Sequence, residues 1–183
     1  MAVNPLPTLR VAESLLLPAV STAVRTPAAT PALALMTDFL VTAAVSIESS
    51  ASLGEAERRI LDCGVGLLIV LDEPPCVMGV IDTRDLRGER ARWLSAQPER
   101  SPGELRVGDL VARLRELDVL SLTTLSTATP SQVLEALRRS GRDHLLVIEP
   151  SGTDVTGRLR GVVSLAQAEE QAHAAPPATP PSS

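Results

Sequence analysis

The sequence predicts an α/β fold of the α+β type, built from two copies of a strand–helix–strand–strand–helix unit. The first observation is an internal repeat, since residues 44–72 align with residues 121–149 at a constant offset of 77 positions (121 − 44) and without a gap. The second is a matching helix-start and helix-stop signal in each copy. The third is an apolar strand pattern followed by a turn rich in Pro or Gly. Self-similarity at a fixed spacing indicates that one supersecondary unit occurs twice.

Each copy opens with a short extended stretch and then begins a helix at a capping box. In this motif a hydroxyl side chain and a Glu or Gln three residues later satisfy each other's backbone N–H groups. The paired residues are Ser52 with Glu55 and Thr129 with Gln132. Each helix is predicted to end at a glycine, Gly64 or Gly141, because glycine suits the left-handed position that follows a helix.

An apolar strand follows each helix, as "LLIVLD" (Leu67–Asp72) and "HLLVIE" (His144–Glu149). After the turn, a second strand ends in "GVID" (Gly79–Asp82) or "GVVS" (Gly161–Ser164). These bounded runs of Val, Ile and Leu are typical of strands. A final helix is predicted directly after each second strand, which completes the unit.

Composition divides the rest of the chain into an arm, a linker and a tail. Residues 1–35 form an arm rich in Pro, Ala and Thr, in which a short helix is expected around Val11–Leu17. Residues 94–106 are predicted as a linker, because prolines favour a break there. Residues 173–183 have a low-complexity composition typical of a disordered tail. The two units are therefore expected at 36–93 and 107–172.

The overall composition excludes several classes of function. The chain is 44% hydrophobic and 21% charged, as in globular proteins. It contains one Phe, one Trp and no Tyr, so the core is expected to be aliphatic and a ligand base is not expected to stack on a ring. All 17 basic residues are Arg, which excludes a catalytic lysine. The net charge of −5 argues against a nucleic-acid partner, and the lack of an 18-residue apolar run argues against a membrane span.

Neither a metal site nor catalysis is expected from the reactive side chains. The chain has two Cys and two His, without a C-x-x-C pair, so no zinc site is predicted. Cys63 is predicted to be a small buried residue, and two reduced thiols suit a cytoplasmic location. Asp82 and Asp85 form a carboxylate pair, but no nucleophile or metal ligand lies near them in the sequence. The protein is therefore not expected to be an enzyme or to carry a cofactor.

The order of these elements, together with two motifs, resembles the cystathionine-β-synthase (CBS) domain, two of which in tandem form a Bateman module. The resemblance covers roughly residues 36–172. It rests on "SLGEAERRILDCGVGLLIVLD" with "GVIDTRDL" in the first half and "TPSQVLEALRRSGRDHLLVIE" with "GVVSLAQA" in the second. It implies a regulatory pair of units, related by a pseudo-twofold axis, whose sheets form two clefts. Such clefts commonly bind AMP, ADP, ATP or S-adenosylmethionine.

The resemblance also implies candidate ligand-binding residues in the first half. In the family's motif an Asp or Asn binds the ribose hydroxyls, and a Ser or Thr three residues earlier helps to hold a phosphate. Asp85 occupies the ribose position, whereas Asp82 stands where the hydroxyl residue is expected, with Thr83 and Arg84 between them. A carboxylate repels a phosphate, and Arg84 is expected to offset part of that repulsion.

In the second half the same motif is incomplete in a different way. Ser164 takes the hydroxyl position, but Gln167 replaces the Asp or Asn. Gln still bonds a sugar, although fixing its longer side chain costs more entropy. The first half therefore favours a ribose with little phosphate nearby, and the second favours a phosphate with weaker ribose recognition.

A structural interpretation competes with ligand binding at each of these residues. Asp82 suits the N-cap of the following helix, where Asp85 would add a favourable charge, and Ser164 with Gln167 fits a capping box. The two interpretations stay open for Asp85 and Ser164, whereas the structural one is favoured for Asp82 and Gln167. On balance Asp85 is predicted to recognise the ligand and Asp82 to cap the helix and tune which ligand fits.

These observations predict a module that senses an adenosine nucleotide or S-adenosylmethionine and acts on a partner protein through a ligand-dependent shift in conformation. By the family's habit a homodimer is expected, formed through the helices. The alternative is a scaffold or protein-interaction module whose two imperfect sites no longer bind a ligand.

Overall fold

The computed structural model describes residues 6–11, 15–20, 31–97, 104–150 and 157–174. Within these ranges the strands are β1 (Leu9–Arg10), β2 (Leu15–Leu16), β3 (Met36–Asp38), β4 (Ser46–Glu48), β5 (Leu67–Leu71), β6 (Cys76–Asp82), β7 (Ala112–Arg113), β8 (Asp118–Ser121), β9 (His144–Pro150) and β10 (Gly157–Ser164). The helices are α1 (Leu53–Cys63), α2 (Thr83–Arg87), α3 (Glu89–Ser95), α4 (Val107–Leu110), α5 (Leu122–Thr127), α6 (Pro130–Ser140) and α7 (Leu165–Ala174). Of the predicted tail, residues 175–183 lie outside the described ranges.

The predicted unit occurs twice, which confirms the α/β fold class. In the first unit β4 runs parallel to β5, and β5 runs antiparallel to β6. The second unit repeats this arrangement with β8, β9 and β10. Helices α1 and α6 connect the parallel strands, while α2 and α7 follow the hairpins. Helices α3, α4 and α5 are additions to the predicted order.

The long helix of each unit begins and ends where the sequence predicts. Ser52 Oγ accepts a hydrogen bond from the N–H of Glu55 at 3.2 Å, and Thr129 Oγ1 accepts one from the N–H of Gln132 at 3.3 Å. Thr129 completes a reciprocal capping box. The helices end at Gly64, with φ of 62°, and at Gly141, with φ of 68°. Left-handed φ values favour glycine because a Cβ would crowd the following carbonyl.

Each unit receives a strand from the segment that leads into the other unit. Strand β3 pairs with β10, in the second unit, and β7 pairs with β6, in the first. The segment before β7 is held by the first unit as well, since the N–H of Val107 donates to Ala51 O at 2.9 Å. The unit boundaries at residues 36 and 107 stay predictions, and these pairings show that the chain crosses between the units at both places.

The arm forms strands at Leu9–Arg10 and Leu15–Leu16 and a 3-10 helix at Leu33–Leu35, so the helix expected around Val11–Leu17 is wrong. Strand β2 lies between β10 and β6 and thereby joins the sheets of the two units, and β1 pairs with β8. Leu15 is 0% exposed while Leu16 is 45% exposed, the alternation of a strand. Pairing with two hairpins satisfies the backbone of the arm, which outweighs its local helical tendency.

The core consists of three apolar clusters, of which one lies between the two sheets. Alternate residues of β5 divide between them: Leu67, Ile69 and Leu71 face the other unit, and Leu68 and Val70 face the helices of their own unit. The cluster between the sheets also contains Val11 and Leu15 of the arm, together with Leu146 and Ile148 of β9. As expected, its packing is aliphatic apart from Phe39.

Cys63 is exposed, so its predicted burial is wrong. It is the final residue of α1, and its neighbours Leu61, Asp62 and Gly64 are exposed as well. The last turn of the helix therefore faces solvent, and its buried residues are Ala56 and Ile60, with Leu53 packed against the same cluster.

Candidate functional site

A cleft between the two units contains the first of the two predicted motifs. Its walls are formed by two strands from each unit, and four of its side chains are Leu67, Val80, Leu117 and Leu146. Its polar side chains are Asp82, Asp118, Arg142 and His144. These eight residues define the first cleft. They leave about 10 Å³ between them, close to the minimum that one water molecule needs.

Asp82 and Asp85 cap the start of α2 by exchanging hydrogen bonds. Asp82 Oδ1 accepts from the N–H of Asp85 at 2.9 Å, and Asp85 Oδ2 accepts from the N–H of Asp82 at 3.2 Å. Asp82 is only 8% exposed. The cap predicted for Asp82 is therefore present, and Asp85 shares it.

Arg142 approaches this carboxylate pair from the second unit. Its Nη1 lies 3.6 Å from Asp85 Oδ2 and 4.0 Å from Asp82 Oδ2. Burial is the main cause that raises the pKa of Asp85, and the negative charge of Asp82 raises it further. Arg142 opposes this shift only in part. The sequence did not identify Arg142 as a site residue. The available signal was its position directly after Gly141, in the loop between α6 and β9 of the second unit.

Arg84 contacts the second unit. Its Nη1 donates to Gly141 O at 3.1 Å, and its Nη2 forms an ion pair with Asp143. Arg142 is the arginine that lies beside Asp82, and the role expected of Arg84 toward a phosphate stays a prediction. Thr83 is exposed and is the first residue of α2.

His144 packs against the first unit in the same cleft. A Cβ added to Gly66 would lie 2.6 Å from Cε1 and Nε2 of the imidazole, so the two units meet closely here. His144 Nδ1 is buried and has no hydrogen-bond partner among the described residues. Burial lowers the pKa of His144, and the charges of Asp82 and Asp143 reverse this only in part. The imidazole is therefore neutral at pH 7.

In the second motif Ser164 and Gln167 are bonded to each other at the start of α7. Ser164 Oγ donates to Gln167 Oε1 at 3.0 Å, and the N–H of Gln167 donates to Ser164 Oγ at 3.3 Å. The bond from the N–H of Gln167 to Ser164 Oγ is one half of the predicted capping box, and the other bond joins the two side chains. Gln167 is exposed and Ser164 is half-buried.

The two motifs differ sharply in charge at equivalent positions of the repeat. The hairpin glycines Gly79 and Gly161 set an offset of 82 after the hairpins, and the offset before them is 77. The charged residues Asp82, Arg84, Asp85, Arg142 and Asp143 then correspond to Ser164, Ala166, Gln167, Val65 and Gly66. The three charges of the first motif, and the two that face it from the second unit, are therefore all replaced by uncharged residues at the equivalent positions.

Neither a metal cluster nor a membrane span is found in the part of the chain that the structure describes. No group of three or more His, Cys, Asp or Glu side chains there is placed to hold a metal ion. None of the described helices is both long and apolar enough to cross a bilayer.

No protein-family model matches the sequence, and a search of curated proteins found no match. Solved structures match in fold. The CBS-domain containing protein ATU1752 from Agrobacterium tumefaciens is 21% identical with a TM-score of 0.53, covering 70% of this chain and 89% of that one. CBSX2 in complex with AMP is 19% identical with a TM-score of 0.56, covering 77% and 94%. The CBS domain pair of protein MJ0100, in complex with 5′-methylthioadenosine and S-adenosyl-L-methionine, is 14% identical with a TM-score of 0.52, covering 72% and 89%.

Proposed function

We propose that this chain, which has the fold of a tandem CBS-domain pair, is a regulatory module that senses an adenosine-containing ligand in the first cleft. The observation that carries the proposal is the position of Asp82 and Asp85 at the junction of the two units, where Arg142 reaches them from the opposite unit. The two neighbours solved with AMP or with S-adenosyl-L-methionine support an adenosyl ligand for this fold.

The side chains of the first cleft, together with Asp85 beside it, suit the parts of a nucleoside. Asp85 is a double acceptor for vicinal ribose hydroxyls, and only one of its oxygens is used by the cap. Leu67, Val80, Leu117 and Leu146 offer aliphatic walls for the faces of a base. No Phe, Tyr or Trp side chain lines the cleft, so the base is held mainly by burial and backbone contacts.

Ligand entry requires the two units to move apart. The cleft leaves about 10 Å³, which is far less than a nucleoside occupies. The contacts that close it, Arg84 with Asp143 and Arg142 with Asp85, join one unit to the other. A ligand that binds the open arrangement more tightly shifts the population toward it, and the partner protein reads that arrangement.

The module is expected to form a homodimer through its helices. Leu61 on α1 is 71% exposed and Trp93 on α3 is 64% exposed, which is unusual for such large apolar side chains. These residues are our candidates for the dimer contact.

The test is a calorimetric titration with AMP, ADP, ATP and S-adenosylmethionine. Asp85→Asn keeps a cap acceptor but removes the charge, and Gln167→Ala is the matched variant in the second motif. We expect binding to weaken at least about tenfold in Asp85→Asn and to persist in Gln167→Ala, because a charged acceptor forms the stronger hydrogen bond. The opposite pattern would place the site in the second motif.

A ligand-free interaction module is the second candidate, and the small volume of the first cleft favours it. In that case none of the four compounds binds the wild-type chain, and the search turns to protein partners.

A further inference from the structure

We propose that the first cleft selects adenosyl compounds that carry no phosphate group, and that it prefers those with a positive charge, such as a sulfonium. This inference rests on the proposed function and narrows its ligand to a chemical class.

The charges around the first cleft are predominantly negative. Asp82 and Asp118 line it, and Asp85 adjoins Asp82 through the helix cap. Arg142 is the cationic residue among the lining side chains, and it is shared between Asp82 and Asp85. Arg10 lies 3.7 Å from Asp118, but its side chain is 66% exposed and therefore largely screened by water. The lining has two carboxylates, one guanidinium and a neutral imidazole.

One N–H donor that would otherwise receive a phosphate is already used. The N–H of Asp85, in the first turn of α2, donates to Asp82 Oδ1. The carboxylate of Asp82 therefore already occupies the position at which a phosphate would contact the first turn of α2. At the equivalent position the second motif has Ser164, which is uncharged and donates a hydrogen bond. A phosphate in the first cleft would have to displace a carboxylate that is 8% exposed or lie against it.

This arrangement sets the direction and the size of the selectivity. Two like charges about 4 Å apart repel by an amount that corresponds to a factor of about five in affinity even at the dielectric constant of water, and the factor grows with burial. A sulfonium at the same position is attracted by the same carboxylates. We therefore expect adenosine to bind at least about fivefold more tightly than AMP.

The experiment is calorimetry on the full chain with two matched ligand pairs. Adenosine and AMP differ by a phosphate, and S-adenosylmethionine and S-adenosylhomocysteine differ by the charged methyl group. We expect adenosine to bind more tightly than AMP, and S-adenosylmethionine to bind more tightly than S-adenosylhomocysteine. In Asp82→Asn the ratio of the two dissociation constants within each pair should move toward one by about fivefold, because the charge that discriminates between the ligands is removed. The helix cap should persist, since Asn caps a helix as well as Asp does. Asp62→Asn changes an exposed residue of α1 by the same charge and should leave both ratios unchanged.

The outcomes separate this inference from the function beneath it. If AMP binds as tightly as adenosine, or if Asp82→Asn leaves both ratios unchanged, the selectivity is overturned while the sensing function stands. If adenosyl binding is lost in Gln167→Ala and kept in Asp85→Asn, the first cleft is not the site and the inference fails. If none of the compounds binds, the proposed function fails with it.

Discussion

Asp38 forms the ion pair with the best geometry among the described residues. Arg160 donates to it twice, from Nε to Oδ1 at 2.9 Å and from Nη2 to Oδ2 at 2.8 Å. The pair connects β3 to β10 and so holds the segment that precedes the first unit against the second unit. The hydrogen bond from Arg160 is the main cause that lowers the pKa of Asp38, against the opposing effect of burial.

Asp38→Asn is expected to lower the free energy of unfolding by about 1–2 kcal/mol at pH 7, since the pair is partly buried and bidentate. The pKa of Asp38 in the folded protein lies below the ordinary value of 3.8. The ion pair therefore contributes to the free energy of unfolding above pH 3.8, and this contribution is lost as the pH falls through the folded pKa. Urea denaturation from pH 7 to pH 3 should show the difference from wild type shrinking. Glu57→Gln, which breaks the exposed pair with Arg87, is the control and should cost less than about 1 kcal/mol.

Asp85 contributes to stability with the opposite sign. Its pKa is raised in the folded protein, so its ionisation on going to neutral pH destabilises the fold. A half-buried carboxylate beside Asp82 is thus a local departure from the most stable arrangement. Such departures are concentrated at functional sites, which agrees with the ligand role proposed for Asp85.

At the scale of the element, α1 shows how local signals define a helix. Ser52 caps its first turn, and Gly64 ends it in the left-handed conformation. Gly54 and Gly64 lie at opposite ends of the helix, and a Cβ added to either would meet nothing within 4 Å. Any difference between substitutions at these two positions therefore comes from the backbone alone.

Gly64→Ala is expected to destabilise the protein by about 1 kcal/mol, because an L side chain at φ of 62° is strained. Gly54→Ala should stabilise it by about 0.5 kcal/mol, since alanine loses less conformational entropy in a helix. Both effects are measurable as shifts in the midpoint of chemical denaturation. Two shifts of the same sign would contradict this explanation of the helix end.

At the scale of the whole molecule, the two units are joined by backbone and by charge. The segment before each unit contributes a strand to the other unit, as β3 pairs with β10 and β7 pairs with β6. Strand β2 of the arm lies between the two hairpins. The side chains of Arg84 and Arg142 form ion pairs from one unit to the other. The strand pairings are backbone hydrogen bonds within the sheet. The ion pairs are the connection that a ligand in the first cleft would have to rearrange.

Arg84→Ala is therefore expected to raise affinity for the adenosyl ligand by about two- to fivefold, because the closed arrangement loses an exposed ion pair worth up to about 1 kcal/mol. Arg87→Ala is the matched control, since Arg87 lies on the same helix and pairs with Glu57 of its own unit. Calorimetric titration of both variants checks the prediction. Equal effects of the two substitutions would show that the pair between the units does not oppose opening.

The sequence by itself determined the repeated unit, the ends of its long helices, the strands of that unit and the cap at Asp82. These features depend on residues close together in the chain: a hydroxyl three residues before Gln132, a glycine after a helix, an alternation along β5. From them the tandem CBS fold was predicted, and the fold is confirmed. The ligand roles of Asp85, Ser164 and Gln167 stay predictions.

Only the tertiary structure decided how the two units meet. It placed Arg142 beside Asp82 and Asp85, turned Arg84 toward Asp143 and extended the arm into strands that local propensity had assigned to a helix. Arg84 and Asp143 are 59 positions apart, and Asp38 and Arg160 are 122 apart. No local pattern encodes such pairings, because they depend on which surfaces come together once both units have folded.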